Sequence, residues 1–466
     1  MTSATTTVAH VLAQAEAGFD ASMARWLNWL RIPSISAQPN HSGDCVRAAR
    51  FAHDELAELG FQVTVRQTNG HPIVVAHHPG PGGNAPHLLY YGHYDVQPAE
   101  PLNLWTQPPF EPAIVDGPFG KRVVARGAVD DKGQVAMWLS AFRAWHETTG
   151  SMPVRITVLI EGEEEIGSPN LEDFVALNAA ELKADIAVIS DTGMWDIDTP
   201  ALTTSLRGMV YIEVTLHAST RDLHSGVYGG SALNPINALA AALGQLHDKA
   251  GQIQIPGFYE GVGEVSPKQA AQWEALGFKE AEFLGEIGLS SPVGEVDRTA
   301  LERLWTRPTC DINGIWGGYQ GPGSKTVIAA QASAKVSFRL VPGQNPEQIA
   351  DGFRTFMKSH VPPDARLEFK LLGASPGIEI DISNSFVAAA GAALTAEYGC
   401  PAVMIGCGGS IPVVENFHRL LGIDTLLMGF GLPDDQPHSP NEKFEVECFR
   451  HGMNSHIRLL DKIAPR

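Results

Sequence analysis

Hydrophobic positions along this chain follow two different patterns. "PIVVA", "HLLYYGHYDV", "VRITVLIEG", "ADIAVISD", "PAVMIG" and "TLLMGFG" are short, almost continuous apolar runs bounded by Gly, Pro or Asp. Runs of this length suit strands buried on both faces, as in a parallel sheet covered by helices. Helical stretches fall between them: "DCVRAARFAHDELAELG" carries its stop glycine at Gly60 and "KGQVAMWLSAFRAWHETTG" at Gly150. In "MVYIEVTLHA", by contrast, Val210, Ile212, Val214 and Leu216 alternate with Tyr211, Glu213, Thr215 and His217. "KVSFRLV" repeats the alternation, with Val336, Phe338 and Leu340 against Lys335, Ser337 and Arg339. Strict period-two alternation predicts one strand face in a core and one in water, as in an antiparallel sheet backed by helices. "NPINALAAALGQLHDKAG" and "NPEQIADGFRTFMKSH" would supply those helices. The predicted fold class is therefore α/β: a mainly parallel sheet covered by helices in segments 1–203 and 383–466, with a smaller α+β domain, 204–382, inserted between them. "SPKQAAQWEALGFKEAEFLGEIG" reads as a helical extension of the inserted domain, with Trp273, Leu276 and Phe278 as packing residues.

Length supports this division, because 466 residues exceed one ordinary hydrophobic core. The formal charge of -19 argues against a nucleic-acid partner, which needs lysine and arginine to displace phosphate counterions. "MTSATTTVAHVLAQAEAGFD" has no basic start followed by an apolar core, and no run approaches the ~18 residues of a membrane span. The expectation is a soluble, cytoplasmic protein binding neither nucleic acid nor membrane. Cys45, Cys310, Cys400, Cys407 and Cys448 are odd in number and lack CxxC spacing, so they are expected as small core residues or free thiols.

Polar residues gather where ligands bind in open α/β sheets, beyond the carboxyl ends of the strands. His93 and Asp95 follow "HLLYYG", Glu161 and Glu163–Glu165 follow "VRITVLI", Asp191 follows "ADIAVIS", and His438 lies a short loop beyond "TLLMGFG". Asp130 and Asp131, in "ARGAVDDKG", sit just before a helix. Each piece has an ordinary alternative: a hydrogen-bonded histidine, a helix cap, a solvated acidic turn, an Asx turn, an exposed loop histidine. Their joint occurrence on one predicted sheet edge points instead to a nitrogen and oxygen ligand set suited to zinc, manganese or cobalt. The acidic loop makes sense if cations neutralise it.

"GHYDVQP", "RGAVDDKG", "EGEEEIGS", "ISDTG", "RDLHSGVYGG" and "PDDQPHSPNEKF" occur in an order that makes the chain, from about residue 25 onward, resemble a known enzyme family. These are the co-catalytic di-metal metallopeptidases that include carnosinase, cytosolic nonspecific dipeptidase, carboxypeptidase G, aminoacylase and acetylornithine deacetylase. "RDLHSGVYGG", "GGYQGPGSKTVI" and "FRLVPG" are most similar to the carnosinase and nonspecific dipeptidase branch. The resemblance implies two divalent cations per subunit, zinc first, with manganese or cobalt as alternatives. His93 and Asp191 would complete one metal site, His438 and Glu165 the other, and Asp130 would bridge them across a cis Asp130–Asp131 peptide.

Glu164 corresponds to the family's general base, acting on a hydroxide shared by the cations, and Asp95 to the carboxylate that orients the histidine. Glu163 receives no role and is expected to be a solvated or outer charge. His224 matches a residue that, in dimeric relatives, reaches into the neighbouring subunit and hydrogen-bonds the developing oxyanion. Arg339, which the alternation alone leaves as a solvated face, becomes the clamp for a substrate carboxylate, and Thr326, Gly409 and Ser410 become further substrate contacts. The chain departs from its branch at Gly406 and Cys407, where relatives commonly carry an arginine and an acidic residue, and at Ala329 in place of a proline. The implied activity is a homodimeric dipeptidase hydrolysing the peptide bond of dipeptides, short peptides or small amides with a free C-terminal carboxylate. An N-acyl amino acid deacylase and a non-catalytic ligand-binding relative are the alternatives.

Overall fold

A computed structural model describes residues 3–465, with side chains from residue 8. Met1, Thr2 and Arg466, which open and close the expected outer segments, lie outside the described residues. The described chain packs into two compact units: one of the residues up to Thr204 with Ile380–Ile405 and the chain from Pro412, the other of Ser205–Glu379 with Gly406–Ile411.

The first unit is built on a mixed sheet with strands in the order Gln62–Arg66, Ile73–His78, Arg155–Glu161, His87–His93, Ile186–Ile189, Thr425–Leu427 and Ala201–Leu206. Its four central strands, from Arg155–Glu161 to Thr425–Leu427, pair in parallel, as the continuous apolar runs predict. Ile73–His78 differs, pairing antiparallel with both neighbours. A run such as "PIVVA" reports burial on both faces, which Ile73–Ala76 has, and carries no information on direction.

Helix Lys132–Thr149 packs against strand His87–His93 with Val135, Met137, Trp138 and Phe142 buried, and ends at Gly150 with φ +75°. Helices Phe19–Leu30 and Val446–Ile463 pack on it in turn. Phe19, Met23, Trp26 and Leu30 recur at helical spacing and are all buried, so one face of Phe19–Leu30 belongs to the core, with Trp26 stacked on Phe449 at 4.8 Å. A small antiparallel sheet joins Ala113–Gly117, Gly120–Val124 and Lys443–Glu445 and fixes the loop that precedes Lys443.

The second unit carries a four-stranded antiparallel sheet in the order Thr309–Gly317, Gln331–Leu340, Gly208–His217, Arg366–Ser375. Register places Phe338 opposite Val210 and Val336 opposite Ile212, so the apolar alternates share the face covered by helices Pro235–Leu243 and Pro346–Ser359. Both helices start at Asn-Pro, where the asparagine oxygen accepts the first free N–H groups: Asn234 from Ile236 at 3.0 Å and Asn345 from Glu347 at 2.8 Å. The first stops at Leu243, earlier than its pattern suggests; Leu246 still enters the core, but from a turn. "SPKQAAQWEALGFKEAEFLGEIG" forms two helices, Pro267–Ala275 and Glu280–Glu286, broken near Gly277 at φ +65°. Trp273 meets Trp305 edge-on at 5.1 Å and Phe278 packs against Phe283 at 5.5 Å, as packing residues should.

Candidate metal centre

In the first unit the carboxyl ends of three parallel strands bring seven expected residues together. His93 ends its strand with Nε2 3.2 Å from Asp130 Oδ1 and 3.8 Å from Asp191 Oδ2. His438 places its Nε2 2.9 Å from Asp130 Oδ2 and 3.2 Å from Glu165 Oε2. Asp130 thus turns one carboxylate oxygen to each histidine, and the described residues hold two groups fit for a cation, His93–Asp130–Asp191 and Asp130–Glu165–His438. The Asp130–Asp131 peptide is cis.

The ring of His93 supplies a test of that fit. Its Nδ1 lies 3.1 Å from the backbone oxygen of Asp95, which can only accept, so Nδ1 carries the proton and Nε2 is left with a lone pair. That buried Nε2 has no hydrogen-bond partner among the described residues, although carboxylate oxygens surround it. A lone pair facing oxygens is repulsive unless a positive charge stands between them, and a cation bound by nitrogen and oxygen fits there. Without a cation, a proton takes its place: burial opposes the imidazolium of His93, but the Asp130 and Asp95 carboxylates outweigh it and hold its pKa well above the usual value. His438 is pushed up to about 10 by Asp130 and then Glu165. Burial drives the carboxyls of Glu164, Glu165 and Asp191 upward, Asp191 to about 7, with neighbouring carboxylates adding to the effect. Of these carboxyls Asp130 alone goes down, because the positive charge that the two adjacent histidines carry when protonated overcomes burial.

The acidic loop divides its labour. Glu161, at the strand end, accepts from Tyr91 at 2.5 Å and Ser168 at 2.9 Å. Glu163 is buried and accepts from Asn170 at 2.7 Å, so of the two roles expected from the sequence, a solvated or an outer charge, it takes the second and anchors the loop. The Asp95 carboxylate accepts the backbone N–H groups of Glu164 at 3.3 Å and Glu165 at 3.1 Å, which fixes both glutamates at the site. Glu164 has no side-chain donor holding its carboxylate among the described residues.

Gln97 and Glu442 escape sequence reasoning, as does the part played by Asp131, which the sequence places beside Asp130 without a role. Gln97 donates through Nε2 to Glu165 Oε2 at 2.8 Å. Asp131 accepts the backbone N–H of His93 at 3.1 Å, through space that a Cβ on Gly92 would fill, 2.7 Å from the carboxylate. Glu442 is fully buried and accepts from Arg126, Gly127, Val129 and Asp130, binding the loop after His438 to the loop that presents Asp130. The only signal for these in the sequence is proximity to the motifs.

The remaining expected residues lie in the second unit, in two groups. His224 is exposed, on a short strand paired with Val327–Ile328, and the next residue, Ser225, donates its N–H to the backbone oxygen of Thr326 at 3.1 Å. Arg339 donates through Nη1 to Ser410 Oγ at 3.1 Å, and Gly409 N–H donates to Cys407 Sγ at 3.3 Å. No disulfide joins the five cysteines, and Cys45, Cys310 and Cys448 are buried.

A buried carboxylate cluster that needs positive charge between its members places the protein among metal-dependent hydrolases. The chain belongs to peptidase family M20/M25/M40, whose model matches residues 89–462, and is a metallopeptidase. It is 31% identical over 471 residues to the Cys-Gly metallodipeptidase dug1 of Schizosaccharomyces pombe, covering 96% of this chain and 97% of that one. It is 30% identical over 434 residues to the β-Ala-His dipeptidase of Rattus norvegicus, covering 89% and 87%. Among solved structures, the di-peptidase Dug1p of Saccharomyces cerevisiae superimposes with a TM-score of 0.83 at 27% identity over 98% of both chains. Among the described residues no helix is long and apolar enough to cross a membrane.

Proposed function

We propose that this metallopeptidase is a dipeptidase that hydrolyses dipeptides with a free carboxylate at a site holding two cations. The observation that carries the reading is Asp130, whose two oxygens face His93 at 3.2 Å and His438 at 2.9 Å. His93, Asp191 and Asp130 would hold one ion and His438, Glu165 and Asp130 the other, zinc before manganese or cobalt given the mixed ligands. Bound cations supply Lewis acidity for the scissile carbonyl and lower the pKa of a water.

The chain's own residues do the rest. Glu164, whose carboxylate no side chain ties up and whose proton affinity burial raises, takes a proton from the attacking water and delivers it to the departing amine. Asp95 keeps the Nδ1 proton of His93 in place and holds the backbone of Glu164. Gly226 N–H donates to Nδ1 of His224 at 2.9 Å, so the proton of that ring sits on Nε2, free to bond the oxyanion. His224 is exposed, and in a homodimer it reaches the neighbouring subunit's site from there. Arg339 clamps the substrate carboxylate while Ser410 holds the guanidinium; Thr326 and Gly409 line the same substrate. Residues 1–203 and 383–466 are the catalytic domain and 204–382 the lid and dimerisation domain. Cysteines without disulfides fit a cytoplasmic location.

The test is hydrolysis of a panel containing Cys-Gly, β-Ala-His, ordinary dipeptides and matched N-acetyl amino acids by metal-stripped protein, before and after adding zinc, manganese or cobalt. Metal-restored cleavage of the free-amine dipeptides is expected. Cleavage of the acylated substrates alone would make the protein a deacylase.

A further inference from the structure

The second unit contains two arginines that converge on one short segment and form no ion pair among the described residues. Arg207 donates its backbone N–H to the oxygens of Cys407 at 3.3 Å and Gly409 at 3.1 Å, and its Nε to Gly408 O at 3.0 Å. Arg339 is bonded to Ser410 on the same segment. A Cβ on Gly408 would stand 3.0 Å from Arg207 Nη2, so glycine admits the guanidinium against the backbone.

Arg207 lines a cavity of about 720 Å³ together with Arg303, Arg307, Leu304, Thr309 and Asp311. Arg303 is paired with Glu280, and Arg307 with Glu295 at 2.9 Å. Arg207 has no such pairing among the described residues, and its Nη1 is buried without a hydrogen-bond partner. Asp311 is exposed, accepts from the Thr309 hydroxyl at 3.3 Å, and forms no ion pair with Arg207. Burial and then the charge of Arg339 lower the pKa of Arg207 to about 10, against a smaller opposing influence of Cys407 and Asp311, which leaves it cationic at neutral pH. Two like charges held on one segment, both half-buried, are relieved by anionic groups brought by a ligand.

We propose that Arg207 is a receptor for a second substrate carboxylate beside the one taken by Arg339, and that the preferred substrates are dipeptides with an acidic side chain. This rests on the dipeptidase reading.

The experiment compares Ala-Glu with Ala-Gln and Glu-Ala with Gln-Ala, isosteric pairs differing in one charge, on metal-loaded wild type, Arg207→Gln and Arg207→Lys. The wild type should favour the acidic member of at least one pair by about tenfold or more in kcat/KM, carried by KM, since charge-assisted bonds are roughly twice as strong as neutral ones. Arg207→Gln should abolish the preference, bringing the acidic and amide members of each pair to equal kcat/KM, and Arg207→Lys should keep part of it. Equal treatment of both pairs by the wild type, or a preference that survives Arg207→Gln, overturns the proposal. Calorimetric binding of the same four dipeptides to the full chain reads the ranking without hydrolysis. If none is cleaved yet an acidic member still binds tighter through Arg207, the dipeptidase reading fails and the receptor stands; cleavage without any ranking removes the receptor alone.

Discussion

Replacing Glu442 by glutamine tests whether the two halves of the metal centre are held by one buried carboxylate. Oε2 accepts from Arg126 Nη1 at 2.6 Å and Gly127 N at 3.0 Å, and Oε1 from Val129 N at 3.0 Å and Asp130 N at 3.1 Å. A carboxamide keeps one accepting oxygen and turns an NH2 group towards the other pair of donors. Whichever way it settles, two donors are orphaned. Losing a bond to a charged group costs about 1.5–3 kcal/mol and stranding a buried N–H about 1–3 kcal/mol. Arg126 is 1% exposed, so its charge also loses its only ion-pair partner among the described residues; breaking a buried pair costs about 3–5 kcal/mol, in line with the sum. The backbone of Asp130 loosens with it, and metal affinity should fall about 10- to 100-fold, as when partners of metal ligands are removed. Chelator competition reads the affinity, and urea unfolding of metal-free protein reads the midpoint of the first transition, since two compact units need not unfold as one. A Glu442→Gln protein with unchanged metal affinity and an unchanged midpoint would refute the reasoning.

Four further outcomes are expected. Glu164→Gln should lower kcat by about 10²–10⁴-fold while retaining the full metal content, and a loss of metal in step with activity would remove it from the role of base. Gln97→Ala removes the 2.8 Å bond to Glu165 and should weaken one of two cations selectively in a metal titration, with little change in unfolding midpoint. Phe338→Ala, at a site packed against Phe353 at 5.2 Å and Phe258 at 5.8 Å, should destabilise the second unit by about 3–5 kcal/mol in denaturant titration. His456 is fully buried between Tyr90 and Ser190, and burial lowers its pKa from 6.5 to about 3. The unfolded chain then binds the extra proton, so the stability this residue contributes is complete above pH 6.5 and falls with decreasing pH, by about 2 kcal/mol at pH 5 (about 1.5 pH units at 1.36 kcal/mol each). His456→Gln should flatten the acid limb of the stability profile, and an unchanged limb would assign it to other groups.

What the sequence reveals depends on how local the cause is. Val210–Leu216 and Val336–Leu340 are legible because one face of their sheet is dry and the other wet, which prints a period of two. The same logic cannot orient Ile73–His78, since burial on both faces erases the alternation and direction depends on partners elsewhere. The helix from Pro235 is overextended because Leu246 is apolar for a tertiary reason, packing into the core from a turn. At the candidate metal centre, His93, Asp191 and His438 are legible because each closes or follows a strand and has ligand chemistry, and Asp130 because it stands just before a helix in the same set of motifs. Glu442 is not, because its donors lie 312 to 316 residues away and its surroundings there are polar backbone. Glu163 resembles its acidic neighbours in sequence, and only the contact with Asn170 distinguishes it.

The most direct test of the account is anomalous diffraction from crystals of the metal-loaded protein, with data on both sides of the metal absorption edge. The account predicts two peaks per chain that share Asp130, one bound by His93 and Asp191 and the other by His438 and Glu165. A single peak, or one ion taking both histidines, would contradict it.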